Sequence, residues 1–308
     1  MVLIYGITHQ RAGRCGAIRY SLRGLVILVA VCQYLLVIHT WILFRGITVT
    51  DTPVRPYKTI TLDGGSGSYV NRIAIGVPAR GVIRMEWHQA NVGLIIPVNW
   101  SQVTVTEPVN AYIAYNYQVA DAQNILLKKA IERDFEWFLL YEDDVLPPAD
   151  AMMRLNGYMK AEDTPVVSGL YYTRARPADP LVFRGRGDGV YDKFKIGDKV
   201  WASGVPTGFL LIHMGILREM WKESPEYQAR GQVTRRVFDT PRKADYNPEL
   251  HQYSTFSGTS DLEWCNRVIE GEYFRKSGWT KYQRKKYPFL VDTNIFCRHI
   301  NINGEQFP

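Results

Sequence analysis

The run Trp137-Phe138-Leu139-Leu140-Tyr141 is apolar at every position and stops on three consecutive carboxylates, Glu142-Asp143-Asp144. A strand without polar alternation is one covered on both faces, the environment of a largely parallel sheet held between two helical layers. The segment before it, 118–134, carries Ala122, Ile125, Leu126 and Ala130 at helical spacing, so a helix delivers the chain into a buried strand whose carboxyl end is acidic. In open α/β sheets ligands bind beyond the carboxyl ends of the strands, and carboxylates crowded there repel one another unless a cation joins them. Hard oxygen ligands suit Mg2+ or Mn2+, which commonly bridge protein carboxylates to substrate phosphates. The triplet therefore predicts a divalent metal and a nucleotide-linked substrate. An acidic turn leading into a helix near Pro148 would leave the same trace.

The alternation continues on both sides. Strands are expected at 72–78, 165–171, 208–213 and 289–294, and helices at 85–94, 149–160, 214–221 and 261–270, an α/β sheet pattern. With 308 residues, 46% of them apolar and 13% aromatic, the chain can build one large domain and an extension. The stretch 222–259 is polar and turn-rich. It reads as an excursion that could close over bound substrate, or as an inert surface insertion. Cys15, Cys32, Cys265 and Cys297 show neither CxxC pairing nor zinc spacing, and Cys265 and Cys297 read as small core residues.

The formal charge is +7, but residues 1–70 hold seven Lys/Arg against two Asp and so carry +5 of it. The remainder is nearly neutral, so no nucleic-acid partner is expected, although Lys281, Arg284, Lys285 and Lys286 form a local basic cluster. Residues 25–44 are apolar except for Gln33, His39 and Thr40, long enough for a single membrane-spanning helix. Arg11, Arg14, Arg19 and Arg23 precede it, which favours a cytoplasmic N-terminus and a signal anchor. The Gly/Ser-rich stretch around 64–68 reads as a flexible linker. The expected organisation is a basic tail at 1–24, a membrane helix at 25–44, a linker at 45–70 and a catalytic domain at 71–308. The charge rule exports that domain, with which the sequon Asn99-Trp100-Ser101 is compatible. A start codon assigned too far upstream would instead leave a cytoplasmic enzyme.

Taken together the motifs resemble the GT-A fold glycosyltransferases of the large family 2-like group, over roughly residues 71–300. The strand ending in Val77-Pro78, the helix carrying Val119-Ala120-Asp121-Ala122-Gln123-Asn124 and the strand closed by Glu142-Asp143-Asp144 look like the nucleotide-binding half of such enzymes. The triplet resembles the family's Asp-x-Asp motif with Glu142 at its first acidic position. Gly204-Val205-Pro206-Thr207-Gly208 resembles the loop that shapes the acceptor pocket. Ser260-Asp261-Leu262-Glu263-Trp264-Cys265 looks like the Glu-Asp-x-x-aromatic-Cys motif with Ser260 in place of the usual acid, and 292–299 resembles the closing strand whose histidine completes the metal site.

The resemblance implies a GT-A type, Rossmann-like mixed sheet flanked by helices and preceded by the membrane helix. It implies a metal-dependent, inverting hexosyl transfer from a nucleotide-diphosphate sugar to a hydroxyl acceptor on a glycan, lipid or protein. Asp261 would be the catalytic base. Pro78, Asp121, Asn124, Glu142 and Asp143 would bind the donor, and Gly204, Thr207 and Gly208 the acceptor. Asp144 and His299 would hold the Mn2+ or Mg2+. Ser260 and Glu263 also have capping-box spacing, which would start a helix and present Asp261 rigidly. Arg174, Arg176, Arg184 and Arg186 could help neutralise a diphosphate, and Trp201, Trp264 and Trp279 read mainly as core. A metal-dependent nucleotidyltransferase or phosphohydrolase, or a carbohydrate-binding protein on a degenerate fold, would share several of these features.

Overall fold

The apolar strands at the centre of the chain have no polar face to turn to water, so they stack edge to edge between helices. The computed structural model describes residues 73–97, 113–185, 189–247, 249 and 252–308. Its main sheet has seven strands in the order β2 (Ile113–Tyr115), β1 (Ile73–Ala79), β3 (Trp137–Tyr141), β7 (Phe209–His213), β5 (Val166–Leu170), β12 (Phe289–Phe296) and β6 (Lys199–Ala202). β1 is parallel to β2 and β3, and β5 to β12, whereas β7 and β6 run antiparallel to their neighbours. β1, β2, β3, β5 and β12 thus point one way. Their carboxyl ends and the amino end of β7 form a single edge.

Alternation along each strand divides the interior into two cores. Ala74, Phe138, Leu140, Leu210 and Ile212 enter one with α2 (Val119–Glu132), α4 (Met214–Glu223) and α5 (Ser260–Glu270). Ile73, Ile75, Trp137, Leu139, Phe209 and Leu211 enter the other with α1 (Met85–Val92) and α3 (Ala151–Ala161). All five residues of β3 are at most 1% exposed, and full burial of side chains of this size contributes about 1.5–3 kcal/mol each. Close packing fixes the spacing of the layers. A Cβ at Gly76 would come within 2.9 Å of the Phe138 ring and 3.2 Å of Leu126 Cβ, so α2 lies directly on β1.

The expected strands and helices lie within two residues of their observed ends. The departures are informative. Stretch 222–259, expected as a mobile excursion or an inert insertion, carries regular structure that its polar, turn-rich sequence did not signal. It folds as two antiparallel hairpins, β8 (Glu226–Ala229) with β9 (Gln232–Arg235) and β10 (Arg242–Asn247) with β11 (Gln252–Ser257), joined by a segment whose Val237 and Phe238 are fully buried. Phe238 stacks on Trp264 with centroids 5.8 Å apart, which ties the first hairpin to α5. A small sheet of β4 (Val145–Leu146), β13 (Arg298–Ile300) and β14 (Gln306–Phe307) was also not foreseen. Among the described residues no helix is long and apolar enough to cross a membrane. The candidate span at 25–44, the linker and the sequon lie outside the described residues.

Candidate active site

At the carboxyl edge the chain leaves β3 into the acidic triplet and is caught there by backbone bonds. The Glu142 N–H donates to the Gly208 carbonyl at 2.8 Å, and the Glu142 carbonyl accepts the Trp87 indole N–H at 2.9 Å. β4 then pairs with β13, setting Val145 opposite His299, while the Ile300 N–H donates to the Asp144 carbonyl at 2.8 Å. This ladder brings the acidic triplet and His299 side by side. β5 delivers Tyr171 and Arg174 to the same edge, and the start of α5 delivers Asp261. Together with Pro78, Arg80, Thr207, Gly208 and Thr240 these residues line a cavity of ≈ 440 Å³, the size of a small-molecule site.

Charge in the cavity is arranged around the carboxylates. Asp143 accepts the Arg80 backbone N–H at 2.8 Å and lies 3.4 Å from Arg80 Nε. Asp144 Oδ2 accepts from Arg174 Nη1 at 2.9 Å and lies 3.4 Å from Arg80 Nη2. Gln123 donates to the Thr207 hydroxyl at 3.0 Å, and Thr207 donates in turn to Glu142 Oε1 at 3.2 Å. Burial, then the neighbouring Asp144, Asp261 and Asp143, push the Glu142 carboxyl up to about 8, so that it is largely protonated at neutral pH. Burial also raises Asp143, against the opposing contacts from Arg80. Burial raises Asp261, while the Thr259 hydroxyl and the N–H groups of Leu262 and of Asp261 itself hold its charged form. His299 is lowered chiefly by burial, which keeps its imidazole neutral.

The start of α5 departs from the expected capping box. Ser260 is already helical and buried, and the N-cap is Thr259, extended at φ −100° and ψ 148° with no side-chain cap bond. Asp261 is held instead by its own first-turn amides, its Oδ1 accepting from the Leu262 N–H at 2.9 Å.

The structure brings Pro78, Glu142, Asp143, Asp144, Thr207, Gly208, Asp261 and His299 to one cavity. Asp121, Asn124 and Gly204 do not line it. Asp121 Oδ1 accepts from the Tyr227 hydroxyl at 2.7 Å. Asn124 is fully buried, donates to the Tyr227 hydroxyl and the Phe238 carbonyl, and accepts from the Val237 and Phe238 N–H groups. Both residues fasten the β8–β9 hairpin to α2. Gly204 packs under Leu262, where a Cβ would approach Cδ2 to 2.7 Å. Conversely, Arg80, Tyr171 and Thr240 escaped the motif reading because they belong to no motif. The signal for Arg80 was its position one residue past the end of β1. Tyr171 accepts the Gly208 N–H at 2.5 Å and packs edge-on to His299 at 4.8 Å.

Two groups have the chemistry to hold a metal. Asp144 Oδ1 is buried with no hydrogen-bond partner. His299 Nδ1 lies 2.6 Å from the Tyr172 carbonyl, which can only accept, so Nδ1 carries the proton and Nε2 keeps its lone pair. Among the described residues no group of three or more His, Cys, Asp or Glu side chains converges as a metal-ligand set. The donor set therefore fits an ion that takes two ligands from the protein and the rest from substrate and water.

No family model and no curated protein matches the chain. Among solved structures, A197 from STIV aligns at 14% identity and a TM-score of 0.44, covering 77% of this chain and 93% of that one. TarS 1-349 of S. aureus aligns at 8% identity and 0.32, covering 48% of each chain. A CMP:2-keto-3-deoxy-manno-octonic acid synthetase complexed with CTP aligns at 6% and 0.25, covering 72% and 88%. At such TM-scores these alignments carry no functional argument. The cleft has to be read from its own residues.

Proposed function

We propose that this protein is a metal-dependent, inverting glycosyltransferase of the GT-A type, moving a sugar from a nucleotide-diphosphate donor to a hydroxyl acceptor. The observation that carries the reading is the meeting of three chain-distant motifs, Glu142-Asp143-Asp144, Asp261 and His299, around one cavity at the carboxyl edge of the sheet. Asp144 and His299 would hold Mn2+ or Mg2+, and such an ion would neutralise charge on the diphosphate as it leaves. Asp261 takes the proton of the acceptor hydroxyl. Its carboxylate is fixed on the first turn of α5, and its raised proton affinity makes it a stronger base than an exposed aspartate. Attack from the face opposite the leaving group inverts the anomeric carbon. The neutral Glu142, accepting from Thr207, offers a protonated carboxyl to a donor hydroxyl without adding negative charge beside the diphosphate. The apolar run at 25–44 supports attachment to a membrane through a single N-terminal anchor.

The test is nucleotide release by the purified protein from a panel of nucleotide sugars with Mn2+ or Mg2+, with and without chelator. Metal-dependent release of one nucleotide, lost in Asp144→Ala and in a folded Asp261→Asn protein, is the expected result. Pyrophosphate or phosphate release independent of a sugar acceptor would replace the transferase with a nucleotidyltransferase or phosphohydrolase. Binding without turnover would leave a carbohydrate-binding protein.

A further inference from the structure

The two arginines of the cavity pose a question that the metal site does not answer. Arg80 follows β1 and Arg174 follows β5, so they approach from two strands, and both converge on Oδ2 of the same carboxylate, Asp144. Their side chains are half exposed, at 50% and 39%, while the Asp144 side chain beneath them is 10% exposed. Among the described residues their guanidinium groups form hydrogen bonds and ion pairs only with Asp143 and Asp144. Most of each five-donor fork is therefore left without a partner among the described residues, and both residues line the cavity.

A carboxylate oxygen offers two lone-pair sites, so Asp144 Oδ2 can hold one donor from each arginine. Two planar forks held side by side by that oxygen match the paired oxygens of a diphosphate, which guanidinium groups bind bidentately. Asp144 thus acts on both elements at once: Oδ2 aims the arginines, and Oδ1 remains bare.

We propose that Arg80 and Arg174 form a diphosphate clamp, so that a nucleoside diphosphate is retained in this cleft without a metal ion, the ion being required for turnover. This rests on the nucleotide-sugar reading above. It joins Arg80, which belongs to no motif, to Arg174, already expected to help neutralise a diphosphate, and it separates affinity from catalysis.

The experiment is calorimetric titration of the protein with uridine, guanosine, cytidine and adenosine diphosphates and with inorganic pyrophosphate, each in Mn2+ and in excess chelator. Wild-type, Arg80→Gln, Arg174→Gln and Arg174→Lys proteins are compared after thermal melts establish folding. Both positions are half exposed, so the variants are expected to fold. The clamp predicts that one diphosphate binds in chelator and that each Gln variant weakens it about tenfold or more. Arg174→Lys should recover only part of the loss, because an ammonium keeps the charge without the fork. The proposal is overturned if the wild type binds only with Mn2+, or if both Gln variants bind within threefold of wild type in chelator. No diphosphate binding by the wild type in either condition would overturn the nucleotide-sugar reading itself, and the clamp with it.

Discussion

Replacing Asn124 with Ala should cost the protein a large part of its stability while leaving the chemistry of the cleft intact in the molecules that remain folded. The Asn124 side chain is fully buried and spends its hydrogen-bonding capacity on Tyr227 of β8 and on the segment after β9. Its amide donates to the Phe238 carbonyl at 2.8 Å and the Tyr227 hydroxyl at 3.0 Å, and its carbonyl accepts from Phe238 N–H at 2.8 Å and Val237 N–H at 3.1 Å. Truncation strands the Phe238 N–H and carbonyl beside Trp264, while the Val237 N–H keeps its bond to the Arg235 carbonyl at 3.0 Å. An unsatisfied buried group costs ~1–3 kcal/mol, and relaxation will recover some of it, so a loss of about 2–4 kcal/mol is expected for the two groups. Equilibrium urea unfolding followed by tryptophan fluorescence measures it, with an unchanged denaturant slope as the sign that only stability moved. A loss below ~1 kcal/mol would refute the anchoring role of Asn124. A normal stability combined with a selective loss of nucleotide binding would return Asn124 to the donor site.

Two further predictions follow from geometry. Gly208→Ala would place a Cβ 2.5 Å from the Tyr171 hydroxyl oxygen and 2.8 Å from Val145 Cγ2. Overpacking of this kind costs ~1–3 kcal/mol, and thermal melting should fall while nucleotide release is lost with the displaced Tyr171; an unaltered melt would contradict the contact. His213 caps α4 by accepting from the Gly215 N–H at 3.1 Å, and its Nδ1 also faces the Trp279 indole N–H at 3.3 Å. Burial, reinforced by Arg218 and opposed by Glu162, lowers its pKa to about 4. The folded state thus refuses a proton that the unfolded chain takes up near pH 6.5, so stability is complete above that pH and declines as pH falls toward 4. Linkage puts the loss between pH 7 and pH 5 at about 2 kcal/mol. His213→Asn, which keeps a capping acceptor, should flatten the urea midpoint over that interval relative to wild type; an unchanged slope would exclude His213 as the source.

Much of the fold was legible from local pattern alone. An all-apolar five-residue run, a helix stripe at Ala122, Ile125, Leu126 and Ala130, and turn residues between them specify elements because burial period and backbone geometry are coupled within a dozen residues. The acidic triplet and Asp261 were legible for the same reason: chemistry concentrated at an element's end leaves a contiguous trace. Charge balance likewise confined the basic excess to the first 70 residues. Other features depended on pairings between distant segments, which no local pattern encodes. The β4–β13 ladder set His299 beside Asp144, and the antiparallel insertion of β7 between β3 and β5 carried Thr207 and Gly208 to the cavity edge. Asn124 has the sequence context of a donor-binding residue, yet Tyr227 and the segment at Val237 and Phe238 claim its side-chain bonds. Arg80 has no motif, yet the parallel register of β1 and β3 sets it against Asp143 and Asp144. Whether a polar side chain faces substrate or the interior depends on which distant backbone reaches it, and only the folded chain decides that.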